Sequence, residues 1–150
     1  MQPRLDYRAA DPKLYQAMLG LERAAASAGL DHGLLHLVKM RASQINGCAF
    51  CLDMHSRDAR RGGESEARLY LLNAWREAPH YTARERAALA WTEALTLVAE
   101  THAPDADYEA LKPHFTEAEI AQLTMVIVAI NGWNRLAIGF RAMPPVQPAA

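Results

Sequence analysis

The stretch Asp31-His-Gly-Leu-Leu-His-Leu-Val-Lys-Met-Arg-Ala-Ser-Gln-Ile-Asn46-Gly47-Cys48-Ala-Phe-Cys51-Leu-Asp-Met-His55 carries the strongest structural signals in the chain. Leu34, Leu35, Val38, Ala42 and Ile45 recur at steps of three and four, the spacing of one helix face. Asp31 stands where an N-cap carboxylate accepts from the first turn's backbone N–H groups. Asn46-Gly47 supplies the left-handed residue that stops such a helix. A second helix begins near Cys48 and runs to Gly62-Gly63.

Similar punctuation extends in both directions. Asp11-Pro12 reads as N-cap and first position of an earlier helix that ends at Gly29. Ser65 opens a helix carrying Leu69, Leu72 and Trp75, which stops before Pro79. Thr82 with Glu85, and Thr116 with Glu119, fit capping boxes, in which each side chain satisfies an otherwise unpaired backbone N–H. The first of these helices runs to about Glu100 and the second to about Arg141, with a short helix from Asp105 between them. Pro144-Pro145 cannot continue the last one. Composition agrees: 29 alanines and 18 leucines stand against five valines and five isoleucines, and strands want β-branched residues. The fold class is all-α, a single domain over 1–150 with its core at about residues 10–143 and about seven helices. Leu123 to Ile130 is apolar on nearly every face, as suits a central helix that also meets a second copy of the chain.

The 150 residues are 51% hydrophobic and 22% charged, with 16 Lys+Arg against 17 Asp+Glu. That balance excludes a charged disordered tail and gives no global attraction to nucleic acid or anionic lipid. The N-terminus lacks a signal-like apolar run, and Leu123–Ile130 is shorter than the ~20 residues of a membrane span. A cytoplasmic protein with no nucleic-acid or membrane partner is expected. Two cysteines cannot frame a secreted disulfide scaffold. In a reducing compartment they are more often reactive or metal-binding than structural.

Cys48, Cys51 and His55 form C-x-x-C-x-x-x-H. On an α-helix these offsets fall within about a 60° arc, so the three side chains share a face. Cys48 lies in the first turn, where helix N–H groups favour a thiolate, and an imidazole nearby can take a proton. A nucleophile, a base and a resolving thiol are what a dithiol redox centre requires. Two other readings stay open: zinc held by these three residues with a fourth, distant ligand, and a pair of inert buried thiols. No βαβ pattern surrounds the motif, so it is not of the thioredoxin type.

The run Lys39 to His55 resembles the core of the AhpD-like alkylhydroperoxidases, within the carboxymuconolactone decarboxylase superfamily. The resemblance continues through Asp58-Ala-Arg, Gly63-Glu64, Trp75-Arg-Glu, Arg84 to Thr96 and Asn131 to Ile138. It implies an all-helical homotrimer or homohexamer and a cofactor-free thiol peroxidase active in antioxidant defence. Its substrate is a hydroperoxide, and its electron donor a dithiol or disulfide reductase. By position it makes Cys51 the attacking cysteine, Cys48 its resolving partner and His55 the group that helps deprotonate the thiol. Two positions depart from the family pattern. His36 stands where a relay glutamate is usual, and Phe50 where a histidine often precedes the second cysteine. His36 is either a substitute relay or a surface histidine.

Other functions follow from the same residues. A non-enzymatic redox-sensing or structural oligomer would use the pair as an oxidisable switch. A carboxymuconolactone decarboxylase-like enzyme would not need the pair. Glu93 is a candidate acid, with an exposed helix carboxylate as the plainer reading. Asn134 and Arg135 are either polar liners of a cysteine pocket or packing and interface residues beside Trp133. Arg41 is a thiolate-stabilising cation or a structural ion-pair partner. Arg57, Arg60 and Arg61 read as a solvated helix face, His80, His102 and His114 as surface residues, and Tyr70, Trp75 and Trp91 as core.

Overall fold

A computed structural model describes residues 2–27 and 29–145. Among them it forms nine α-helices and no strand: α1 (Tyr7–Ala10), α2 (Pro12–Ala26), α3 (His32–Asn46), α4 (Ala49–Arg61), α5 (Glu66–Leu71), α6 (Ala83–Thr96), α7 (Val98–Thr101), α8 (Asp105–Glu109) and α9 (Glu117–Phe140). A 3-10 turn, Leu72–Ala74, extends α5. The helix starts are chemically local. Asp11 Oδ1 accepts from Leu14 N at 3.1 Å and Asp31 Oδ2 from Leu34 N at 2.9 Å. Both capping boxes form in full. Each cap stabilises its helix by about 1 kcal/mol.

The all-α expectation stands, with three differences in detail. Asp6 caps the extra helix α1, accepting from the N–H groups of Arg8 and Ala9. The helix expected to reach Glu100 breaks at Leu97, because Thr101 Oγ1 donates to Ala94 O at 2.6 Å and the chain folds back into the single turn α7. Tyr70, expected in the core, is 70% exposed, while its neighbour Leu69 is buried. One step along a helix turns a side chain by about 100°, and the short α5 spends that register on Leu69.

Helix α3 lies at the centre, packed against α4, α6 and α9, and α9 crosses α2, α4 and α6 as well. Leu34, Leu35 and Val38 of α3 meet Ala88 and Trp91 of α6 and Leu123, Val126 and Ile127 of α9. On another side of α3, Leu37 and Met40 pack with Ala59, Leu69, Leu72 and Trp75. A third apolar group joins Ala42, Cys48, Cys51, Ile130 and Ala137, so the cysteines sit where α3, α4 and α9 converge.

The 24 residues of α9 are long and apolar enough, by length and composition, to cross a membrane, although the Leu123–Ile130 run alone is not. Here the helix packs on four others. It is nevertheless not enclosed on all sides: Met125 and Val128 are 43% and 49% exposed.

Candidate active site

Gly47 ends α3 at φ +68°, a left-handed conformation that a side chain would strain. Its N–H donates to Gln44 O and that of Cys48 to Ser43 O, which turns the chain directly into α4. Cys48 thereby becomes the N-cap residue of α4. Its sulfur makes no capping hydrogen bond, but the N–H groups of the first turn, those of Phe50 and Cys51 among them, favour its thiolate form.

Cys51 follows one turn later. Both thiols are free and buried, and they share one apolar group. Donation from Cys51, joined by those backbone N–H groups and Asn134, holds Cys48 below the ordinary thiol range against the opposing effect of burial. The same hydrogen bond, then burial, pushes Cys51 up. Two thiols sharing one hydrogen bond release their protons as a pair, the first easily and the second with difficulty. Only Cys51 opens onto a cavity of about 350 Å³, in the range of small-molecule sites. The sulfur that carries charge most readily and the sulfur that faces the cavity are thus two different members of one coupled pair.

His55 lies on the same face of α4 and lines this cavity too. Burial, then the charge of Lys39, lowers its pKa to about 4, so the ring is neutral at pH 7. His36 on α3 lines the cavity with its ring centroid 6.4 Å from that of His55. It is also lowered, by burial and then Lys39, and the Nδ1 atoms of both rings have no hydrogen-bond partner. His36 also borders a second, more polar cleft with Asp31, Arg68 and Glu85. It is therefore a half-buried residue between two cavities, not a free surface histidine. The four residues singled out by spacing and resemblance are brought together. Among the described residues no three His, Cys, Asp or Glu side chains converge as a metal site.

Other expectations need correction. Glu93 is neither a cavity residue nor an exposed carboxylate. It accepts from Arg41 Nε at 2.7 Å, Trp75 Nε1 at 2.8 Å and Arg76, and these donors hold it below the usual carboxylate range although burial opposes them. Arg41 is accordingly a structural ion-pair partner. Arg57, Arg60 and Arg61 pair with Asp53, Glu66 and Asp58. His80 and His102 are exposed and His114 half-buried.

Asn134 is fully buried and touches both sulfurs. Its Nδ2 donates to Ser43 Oγ at 3.0 Å, and its Oδ1 accepts from Asn46 Nδ2 at 2.8 Å. Arg135 donates instead to Asn131.

Sequence reasoning missed Glu22. This α2 residue lines the cavity, pairs with Lys39 and accepts from Trp133 Nε1 at 3.1 Å. No local spacing links it to the motif. The one available hint was an acid within an otherwise apolar stripe of α2. Phe50, in place of a histidine, forms a cavity wall with Tyr7, Tyr15 and Trp133.

The site is thus a dithiol at a helix N-terminus, one sulfur facing an apolar cavity, on an all-helical frame. The carboxymuconolactone decarboxylase family model matches residues 12–94. The uncharacterised protein YdfG of Bacillus subtilis (strain 168) is 38% identical over 138 residues, 92% of this chain and 94% of that protein. A crystal structure from Agrobacterium tumefaciens, of a protein of unknown function suggested to be the antioxidant-defence protein AhpD, is 49% identical. It covers 97% of this chain and 100% of that one with a TM-score of 0.95. The debrominase Bmp8 shares the fold at a TM-score of 0.82 and 20% identity, over 92% of this chain and 74% of its own. The chain belongs to the carboxymuconolactone decarboxylase family and is one of its AhpD-like members.

Proposed function

We propose that this protein is a thiol-dependent hydroperoxidase that uses Cys51 as nucleophile and Cys48 as resolving thiol. The observation that carries the reading is the placement of an N-cap sulfur, Cys48, one helical turn before a sulfur on the wall of an apolar cavity, Cys51. Once the pair has lost its first proton, the remaining proton moves from Cys51 to Cys48 as the substrate enters. The Cys51 thiolate attacks the terminal oxygen of R–O–O–H and the O–O bond breaks. Cys51 becomes a sulfenic acid and RO⁻ leaves, taking up a proton to give ROH. The Cys48 sulfur then displaces hydroxide from the Cys51 sulfenic acid. A disulfide forms, and the hydroxide leaves as water. A dithiol donor reduces the disulfide and is itself oxidised to a disulfide, so each turnover converts ROOH and one dithiol to ROH, water and one disulfide.

Neutral His55 accepts a proton from the pair only transiently, since a group with a pKa near 4 does not hold one at pH 7. His36 passes that proton to the polar cleft. The reading fits a cytosolic antioxidant enzyme. It also fits a homotrimer or homohexamer in which a second copy covers the Met125–Val128 face of α9. Val128→Glu is expected to shift the species seen by light scattering toward monomer.

The test is free-thiol count and intact mass of the reduced protein before and after one equivalent of tert-butyl hydroperoxide. Loss of both thiols without added oxygen is the expected result. Cys48→Ser stops with one added oxygen on Cys51, and Cys51→Ser does not react. Unchanged thiols in folded native protein would overturn the reading. A single oxidation that no dithiol reverses would leave the redox-sensing oligomer in its place.

A further inference from the structure

The cavity in front of Cys51 is apolar but not uncharged. Four ionic side chains line it: Arg8, Glu22, Lys39 and Asp58. Three are matched, Glu22 with Lys39 and Asp58 with Arg61 at 3.0 Å. Arg8 differs, since among the described residues no carboxylate lies within ion-pairing distance of its guanidinium. Three aromatic rings surround it instead, with centroids 5.8 Å away in Tyr7 and Tyr15 and 5.9 Å away in Phe50. Rings at such distances interact with the cation through their faces. They offer it no anion and do not replace a bidentate partner for its N–H edge.

The backbone that carries Arg8 is anchored, and its side chain is exposed. Arg4 N donates to Phe140 O at 3.0 Å and Arg4 Nη1 to Gly139 O at 3.0 Å, which ties the segment before α1 to the end of α9. Tyr7 stacks on Phe140 with centroids 5.3 Å apart. Phe50, one of the three rings, is the chain neighbour of Cys51. The cation without a carboxylate partner and the cavity-facing sulfur therefore line the same aromatic-walled space.

We infer that the preferred substrate is an organic hydroperoxide with an apolar, ring-sized body and a carboxylate, the carboxylate held by Arg8 while the peroxide meets Cys51. This rests on the hydroperoxidase reading for the fate of the peroxide, but the anion preference belongs to the cavity itself. Hydrogen peroxide would leave the apolar walls wet, and a neutral alkyl hydroperoxide would leave Arg8 unmatched.

The test uses unreactive analogues, so that it does not depend on turnover. Calorimetric titration of the reduced native protein compares 4-isopropylbenzoate with its methyl ester. The benzoate is expected to bind about tenfold more tightly, the scale of one charge-assisted hydrogen-bonding partner. Arg8→Gln removes that preference without weakening the ester, and Arg8→Lys restores part of it. Equal affinities in the native protein, a preference that persists in Arg8→Gln, or no binding of either compound would each overturn the inference. Thiol consumption with tert-butyl hydroperoxide separates the two claims. Consumed thiols without an anion preference sink only this one. An anion preference with inert thiols sinks only the peroxidase reading.

Discussion

Replacing Asn134 by alanine removes the one amide that touches both sulfurs and ties α9 to the end of α3. The cost follows from its partners. Ser43 Oγ is fully buried and loses its donor, whereas Asn46 Nδ2 keeps Asn131 Oδ1 at 2.9 Å. One stranded buried polar group costs about 1–3 kcal/mol, and the void left by the amide adds about 1 kcal/mol. Urea unfolding should therefore lose about 3 kcal/mol relative to the native protein. The amide also hydrogen bonds the thiolate form of the pair, and removing a donor to the charged form raises a pKa. One such bond corresponds to about one pH unit. Thiolate absorbance of the reduced variant, followed against pH, should show the first midpoint moving up by about that amount. Lost stability with an unmoved midpoint would refute the reasoning: Asn134 would then be a structural tie alone, and the charge on the sulfur would be held by the α4 N-terminus without it.

Three further outcomes follow from the site. The folded-state pKa of His55 lies near 4, below its ordinary 6.5, so the unfolded chain binds the extra proton between those values. Stability is complete above pH 6.5 and falls as pH drops toward 4, by up to about 3 kcal/mol, and the urea midpoint of His55→Gln should be flatter across that window. Glu93→Gln should lower stability by about 2 kcal/mol, because three donors lose a charged acceptor. Stopped-flow thiol consumption by that variant should match the native rate, and a large loss would restore Glu93 as a proton carrier. His36→Gln should slow thiol consumption by about tenfold, with its solvent deuterium effect altered, while the thiolate midpoint stays in place. An unchanged rate would remove His36 from the proton route.

The frame and half of the site were legible because their causes are local. A carboxylate or hydroxyl three residues before an N–H caps a helix wherever the chain runs, so Asp11, Asp31, Thr82 and Thr116 could be read directly. Gly47 and the C-x-x-C-x-x-x-H spacing likewise fix one turn and one helix face without help from the rest of the chain. Glu22 and Arg8 were a different matter, and the choice between the two readings of Asn134 was too. They come from α2, α1 and α9, and only the packing of the whole chain brings Glu22 and Arg8 to the cavity and Asn134 to the sulfurs. The Leu97 break was hidden for a related reason: its cause is the Thr101 hydroxyl, four residues further on, which returns to Ala94 O. Tyr70 misled because an apolar-looking residue in a helix of six has no second turn to reveal which face is buried.

The departures from the family pattern at His36 and Phe50 then form one electrostatic arrangement. A carboxylate at position 36, near Lys39 and the His55 ring, would favour the imidazolium. With His36 there, Lys39 and burial prevail and the ring is neutral. The cavity's carboxylate is instead Glu22, turned toward Lys39 and Trp133. Glu22 thus offsets the lysine charge without standing between the two imidazoles. In the proposed hydroperoxidase, an unpaired His55 beside His36 would pass a proton in either direction but store none. The negative charge needed for attack would then be held by the sulfurs themselves, favoured by the α4 N–H groups and Asn134. Phe50 fits the same arrangement: the pair already has its acceptor and donors, and the ring adds apolar wall where a histidine would add a further titrating group. Proton handling under that proposal is accordingly divided, with charge stabilised at the N-terminus of α4 and proton exit assigned to the two histidines.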